Sequence, residues 1–85
     1  MWNESDDCLE TELVFKDFVT AFQFMGIVAA LAEEHEHHPE WSNVYNRVYI
    51  KLTTHDSDNK VTDKDRLLAT AIENDPAVIE LLNLS

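Results

Sequence analysis

The stretch Glu33-Glu34-His35-Glu36-His37-His38-Pro39-Glu40-Trp41 joins a predicted helix to a predicted strand and holds three of the four histidines of the chain. Pro39 cannot continue a helix, and it biases the backbone of His38 toward an extended conformation. Histidine gives and takes protons near neutral pH and is also a common metal ligand. This concentration of histidine therefore indicates either a metal site or a site of proton transfer.

Helical periodicity precedes this stretch, from residue 17 to about residue 35. Apolar side chains recur there at spacings of three and four, as in a helix that buries one face. They form two neighbouring stripes, the first made of Phe18, Phe22, Met25, Ala29 and Ala32 and the second of Phe24, Val28 and Leu31. We expect one stripe to pack on a sheet, and we assign the second to a protein partner or to self-association.

Strand-like alternation lies on both sides of this helix. Residues 8–15 alternate apolar and polar side chains, and a partner strand is predicted to begin at Trp2. Residues 41–45 and 47–53 indicate two further strands. The inward side chains of the last strand are predicted to be Val48, Ile50 and Leu52.

Two helices are predicted after a polar loop at residues 56–60. Thr62 is a suitable N-cap, and Asp65 follows three residues later in a capping-box arrangement. That helix continues to about residue 74, and Asp75-Pro76 starts a short terminal helix because proline suits the first helical position. The pattern predicts an α+β fold, with an antiparallel sheet of about four strands covered on one face by two to three helices. We expect residues 1–85 to form a single domain.

The composition excludes several classes of function. A net charge of −11 with only six basic residues argues against nucleic-acid binding, which needs clustered Lys and Arg. No apolar run approaches the roughly 18 residues of a membrane span, and the N-terminus lacks the features of a signal peptide. The single cysteine, Cys8, fits a reducing compartment and is predicted to be a packed residue. We therefore expect a cytoplasmic protein, and its small size favours a homo-oligomer.

The three candidate site histidines allow three interpretations. A hairpin about Asn46 would place His55 opposite residues 36–38, which brings His37, His38 and His55 to one pocket. A metal site is one interpretation, but adjacent histidines point in different directions and no HExxH or CxxC spacing is present. General acid–base catalysis requires only two imidazoles on a shared pocket. The third interpretation is that these are surface histidines without a common role.

A set of spaced residues then resembles the signature of the pterin-4a-carbinolamine dehydratase family. The set consists of Glu33, His37-His38-Pro39, Tyr45, His55 and Asp65. The segments around it, from about residue 9 to residue 73, are also similar to the family. The chain differs by lacking the N-terminal helix of many members and by an Asp- and Asn-rich loop after His55, where many members have glycine.

The resemblance implies an enzyme that removes water from a 4a-hydroxytetrahydropterin, the product of an aromatic amino acid hydroxylase, to give a quinonoid dihydropterin. It implies neither a metal nor another cofactor. Such a reaction needs an acid at the 4a-oxygen and a base at N5. Because some members act as a dimerisation cofactor of a homeodomain transcription factor, a protein-binding module is the alternative. A homodimer or homotetramer is expected in either case.

The resemblance also implies roles for individual residues. His37, His38 and His55 would be catalytic and would bind the pterin, with His38 as the general acid. Asp65 would orient a histidine, a role compatible with capping a helix, and Trp41 would form a wall of the pocket. The remaining substrate-binding residues would be Glu36, Thr53, Thr54 and Asp56. Glu33 and Glu34 are predicted to be helix-surface charges.

Overall fold

The computed structural model describes residues 1–5, 7–55, 58 and 60–85. Along the chain the elements are β1 (Asn3–Glu4), β2 (Leu9–Val14), α1 (Phe18–Glu34), β3 (Glu40–Val44), β4 (Arg47–Leu52), α2 (Asp63–Asn74) and α3 (Pro76–Asn83). The strands form a four-stranded antiparallel sheet in the order β1-β2-β4-β3. The predicted α+β fold is therefore confirmed. Asp56, Ser57 and Asn59 of the predicted polar loop lie outside the described residues.

The hairpin of β3 and β4 determines where the histidines meet. Val44 pairs with Arg47, so Tyr45 and Asn46 form the turn, and Tyr45 adopts a positive φ of 51°. The Asn46 side-chain amide donates to the Phe15 carbonyl at 2.8 Å, which anchors the turn to the end of β2. At the opposite end of the hairpin Glu40 pairs with Lys51. The segment before β3 and the segment after β4 therefore leave the sheet at the same end of the hairpin.

One face of the sheet forms the core with the helices. Val48, Ile50 and Leu52 have no exposed surface, which confirms the alternation predicted for β4. Leu68 and Ile72 of α2 and Val78 of α3 are equally buried and belong to the same apolar cluster. Full burial of an aliphatic side chain contributes about 1.5–3 kcal/mol each. This cluster therefore fixes the helices against the sheet and with them the residues at the helix ends.

The interpretation of the two stripes of α1 requires a correction. The stripe assigned to a partner is in the core, because Phe24 and Val28 have no exposed surface, whereas Phe18 and Phe22 of the other stripe are 45% and 61% exposed. The physical reason is Phe15 at the end of β2, whose ring lies 5.0 Å from that of Phe24. Both stripes satisfy helical spacing, so periodicity alone could not decide which one faces the sheet.

The helix starts follow the predicted capping chemistry. The backbone N–H of Thr62 donates to the Asp65 carboxylate at 2.9 Å, and Asp75 accepts from the backbone N–H groups of Ala77 and Val78. Proline at the first position of α3 has no N–H to satisfy. Within the described part of the chain, none of the helices is both long and apolar enough to cross a bilayer.

Candidate active site

The C-terminus of α1 ends in a tight turn that separates the two adjacent histidines from the helix. The N–H groups of Glu36 and His37 donate to the carbonyls of Glu33 and Ala32 at 3.2 and 3.0 Å, the pattern of a Schellman motif. Glu36 occupies the left-handed position of this motif with φ 50°, where glycine is the usual residue. The turn satisfies the last carbonyls of the helix and directs the chain toward Pro39 and β3.

The side chain of His37 is held by a buried carboxylate. Nε2 of His37 lies 2.6 Å from Oδ1 of Asp65, and the two side chains are 11% and 0% exposed. Oδ2 of Asp65 accepts from the Thr54 hydroxyl at 2.7 Å and from the Thr62 backbone N–H at 2.9 Å. In the described part of the chain every buried side-chain nitrogen or oxygen has a hydrogen-bond partner. This carboxylate therefore joins the start of α2, the end of β4 and the histidine turn.

The electrostatics of Asp65 decide which nitrogen of His37 carries a proton. Burial raises the pKa of the Asp65 carboxyl, but hydrogen bonds from Thr62, His37 and Thr54 outweigh it, so this pKa is below its ordinary value. An ionised carboxylate can only accept hydrogen bonds. Nε2 of His37 must therefore donate, which fixes the tautomer of a neutral ring and leaves Nδ1 as the nitrogen with a free lone pair.

His38 lies in a different environment. Its Nε2 contacts Oε2 of Glu33, and both side chains are exposed, at 65% and 76%. Glu33 lies in the last turn of α1 and His38 follows the helix. Glu33 is therefore on the helix surface, as predicted, and in addition contacts a cleft histidine. Glu34, also exposed, matches its prediction. An imidazole with one exposed partner can turn toward a ligand and exchange its proton with water.

A cleft of about 250 Å³ brings most of the predicted site residues together. Its lining includes Glu36, His37, His38, Thr53, Thr54 and His55. A second cleft of about 440 Å³ shares Thr53 and His55 with the first and extends toward Lys51 and Glu40. The pairing of β3 with β4 thus brings residues that are distant in sequence to one concave surface.

One described residue predicted to contact the substrate is not part of this lining. Trp41 is absent from the described lining and packs against the core, because it pairs with Ile50 and so shares the helix-covered face of the sheet. The contribution of Trp41 to a wall of the substrate pocket stays a prediction. Asp56 lies outside the described residues.

Sequence reasoning missed three contributors to the site. Lys64 lines the cleft from the first turn of α2, Glu33 contacts His38, and the Thr62 hydroxyl lies 2.6 Å from that of Thr54. Glu33 was detectable as the acidic member of the spaced signature. Lys64 and the hydroxyl pair carry no local signal, since their positions depend on how α2 packs against the hairpin.

The side chains of the cleft include groups that can give and take protons. No group of three or more His, Cys, Asp or Glu side chains among the described residues is arranged to hold a metal ion. The cleft instead combines a histidine of fixed tautomer, an exposed histidine beside a carboxylate, and His55. Two imidazoles in different environments can serve as acid and base in the same reaction.

The chain is similar in sequence to a known protein family. Residues 1–74 match the family model described as pterin 4 alpha carbinolamine dehydratase. Relatives assigned by name to that family include one from Rhizorhabdus wittichii, 50% identical over 74 residues that cover 85% of this chain and 75% of the relative. Another, from Prochlorococcus marinus strain MIT 9313, is 54% identical over 71 residues, or 84% of this chain and 73% of the relative.

Solved structures give the same result. A Brucella melitensis protein described as a transcriptional coactivator/pterin dehydratase has a TM-score of 0.77 and 43% identity, over 85% of this chain and 78% of its own. A pterin dehydratase-like RuBisCO assembly factor of the alpha-carboxysome has a TM-score of 0.68 over 86% of this chain and 83% of its own. At 20% identity it shares the fold alone. On the strength of the family model and the close relatives, the chain belongs to the pterin-4-alpha-carbinolamine dehydratase family.

Proposed function

We propose that the protein is a 4a-hydroxytetrahydropterin dehydratase, a lyase that converts its substrate to quinonoid dihydropterin and water. The observation that carries the proposal is the meeting of His37, His38 and His55 in a cleft where two of them have contrasting environments. In the reaction the C4a–O bond breaks, the N5–H proton leaves and a C4a=N5 bond forms. One acid and one base suffice, and the products carry no change in oxidation state.

Each histidine has a role in this proposal. His38 protonates the leaving 4a-oxygen, a role supported by the exposure of its side chain and by its contact with the Glu33 carboxylate. His37 and His55 bind the pterin and share removal of the N5 proton. Asp65 orients His37, and its hydrogen bond makes Nδ1 the basic nitrogen of that ring. General acid–base catalysis of this kind contributes roughly 10²–10⁴-fold to the rate.

The other cleft residues would bind the pterin. Glu36, Thr53 and Thr54 line the cleft and offer a carboxylate and backbone groups to the polar edge of the ring. Asp56, adjacent in sequence, belongs to the same proposed set. Protein groups alone perform these steps, so the proposal requires no metal and no cofactor.

The test is the rate of dehydration of 4a-hydroxytetrahydropterin, followed by the absorbance of the quinonoid product against the spontaneous reaction. Wild-type protein should accelerate the reaction, and His38→Ala should lose most of the acceleration. His35→Ala is the matched control, because His35 caps α1 and does not belong to the described lining of the cleft. A wild-type rate equal to the spontaneous rate would exclude this function.

The setting of the enzyme follows from the substrate. An aromatic amino acid hydroxylase that uses a tetrahydropterin would supply the 4a-hydroxy compound, so we propose a role in pterin recycling in the cytoplasm. The net charge of −11 disfavours nucleic acid as a ligand. We further propose a homodimer or homotetramer, because the single chain buries a small core. Light scattering tests this, and a stable monomer would contradict it.

A second candidate function, protein binding, is favoured by the outer face of α1. No charged residue occurs between Phe18 and Ala32, although the whole chain carries a net charge of −11. Phe18, Val19 and Phe22 of this segment are exposed, and exposed apolar patches commonly mark interaction sites. A module that only binds protein would tolerate loss of all three cleft histidines. A His37→Ala/His38→Ala/His55→Ala variant that no longer accelerates dehydration but still binds a protein partner or itself would separate the two functions.

A further inference from the structure

The hydroxyl of Thr54 occupies a position that its role as a cleft residue does not require. Thr54 is 6% exposed, and its Oγ1 lies 2.7 Å from Oδ2 of Asp65 and 2.6 Å from Oγ1 of Thr62. Thr54 therefore contacts the carboxylate oxygen that His37 does not use.

The direction of these hydrogen bonds is determined by counting protons. Asp65 has a depressed pKa and is ionised at neutral pH, so it accepts from Thr54. The single hydroxyl proton of Thr54 is used in that bond. The bond between the two hydroxyls must then be donated by Thr62 and accepted by Thr54. The chain runs in one direction, from Thr62 through Thr54 to the carboxylate.

The consequence concerns the rotation of the carboxylate. Oδ2 is held by Thr54 and by the Thr62 backbone N–H, which leaves Oδ1 for His37. When a buried carboxylate loses one of these donors, the carboxylate is less strongly held in its orientation and in its ionised form. If Oδ1 rotates away from His37, or if the carboxylate takes up a proton, Nε2 of His37 no longer has to donate. The neutral ring could then carry its proton on Nδ1.

We propose that Thr54 is a positioning residue, whose hydroxyl, itself oriented by Thr62, locks Asp65 and thereby keeps His37 in the tautomer with a free Nδ1. The kinetic consequence rests on the proposed dehydratase function, whereas the tautomer does not. Thr54 acts through Asp65 and does not itself exchange a proton with the substrate.

The direct test is ¹⁵N NMR of the imidazoles at neutral pH in the substrate-free protein. Wild-type His37 should show the Nε2–H tautomer, and Thr54→Val should show a mixture with Nδ1–H. Thr54→Ser should restore the wild-type spectrum, because it returns the hydroxyl. Thr62→Val, which removes the outer hydroxyl and with it the side-chain cap of α2, should cause a smaller change of the same kind and provides a second variant if Thr54→Val folds poorly.

The kinetic test uses the same variants. Thr54→Val should lower kcat about tenfold and leave KM nearly unchanged. This is the lower end of the effects of roughly 10–100-fold that follow loss of a residue that orients a functional histidine through a hydrogen bond. Thr11→Val is the matched control: Thr11 is 4% exposed, its hydroxyl donates to the Met1 carbonyl at 3.0 Å, and it is not among the described lining residues of the cleft. It should lose stability without altering kcat or the His37 spectrum.

Two results would overturn the proposal: an unchanged His37 tautomer in Thr54→Val, or a failure of Thr54→Ser to restore it. A wild-type His37 in the Nδ1–H form would overturn it as well. If the tautomer responds as expected but no variant, including wild type, accelerates dehydration, the positioning role is supported and the proposed function fails.

Discussion

His37 and His38 are neighbours in sequence and line the same cleft, yet their surroundings are opposite. The His37 side chain is 11% exposed against a fully buried carboxylate, whereas the His38 side chain is 65% exposed against a carboxylate that is itself 76% exposed. One imidazole is held by a buried carboxylate, and the other is exposed to solvent beside an exposed carboxylate. A single His-His dipeptide thus supplies two different chemical groups.

The Schellman turn at the end of α1 produces this difference. Glu36 in the left-handed conformation reverses the chain after the helix, and His37 is then drawn inward by Asp65. Successive side chains in extended backbone point in opposite directions, so His38 faces outward once His37 faces in. Pro39 maintains that extended backbone.

The largest expected effect is a loss of catalysis in variants of either histidine, accompanied by a loss of stability in only one of them. His38→Ala should lower kcat roughly 10²–10⁴-fold while changing the free energy of unfolding by less than about 0.5 kcal/mol, as for other exposed sites. His37→Ala should lower both. Dehydration assays and urea unfolding on the same preparations measure the pair, and equal losses of stability in the two variants would contradict the contrast.

Removing the buried partner should be more damaging to the fold than removing either histidine. Asp65→Ala eliminates an acceptor for three donors in the interior, and we expect a loss of about 3 kcal/mol in the free energy of unfolding. Asp63→Ala, at an exposed position in the same first turn of α2, is the control. Urea titration measures both, and comparable losses would indicate that Asp65 acts only as a helix-terminal charge.

The contribution of the Asp65 carboxylate to stability should be lost at acidic pH. Because the folded-state pKa of Asp65 is depressed, its contribution to stability is present above the unfolded value of about 3.9 and is lost as the pH falls through the folded pKa. Wild-type Tm should therefore fall as the pH decreases below about 4. Asp65→Asn should start lower and fall less steeply over this range. Parallel curves of Tm against pH would show that Asp65 is not the group responsible.

The turn itself should gain stability from glycine. Glu36→Gly relieves a left-handed backbone, which should raise the free energy of unfolding by about 1 kcal/mol. If the Glu36 side chain binds pterin, KM should rise at the same time. Tyr45→Gly, also at positive φ but at the far end of β3, is the control for strain relief and should leave KM unchanged. A stabilised Glu36→Gly enzyme with wild-type KM would remove Glu36 from the binding residues.

The smallest effect is expected at the exposed pair. A double-mutant cycle of Glu33→Gln with His38→Ala should give a coupling energy of about 0.5 kcal/mol that weakens with added salt. The corresponding cycle for Asp65→Asn with His37→Ala should give a clearly larger coupling that salt changes little. Equal couplings would show that burial does not distinguish the two pairs.

Much of this arrangement could be predicted from the sequence, because it depends on local rules. Alternation in β4 gave its inward residues, and the spacing of Thr62 and Asp65 gave the start of α2. The orientation of α1 could not be predicted, since two stripes fit the same period and only the contact of Phe24 with Phe15 selects one. The bonds of Thr54 to Thr62 and to Asp65 join separate elements and depend on tertiary packing.

Asp65 bonds both to the start of α2 and to His37, so unfolding of the first turn of α2 also affects the site. Its carboxylate holds both the first turn of α2 and the ring of His37, so fraying of that turn withdraws the partner of the imidazole in the same event. Local unfolding at helix ends requires far less free energy than global unfolding. We therefore expect the fraction of molecules in which His37 is bonded to Asp65 to follow the opening and closing of this helical turn, and amide hydrogen exchange at the start of α2 measures that opening.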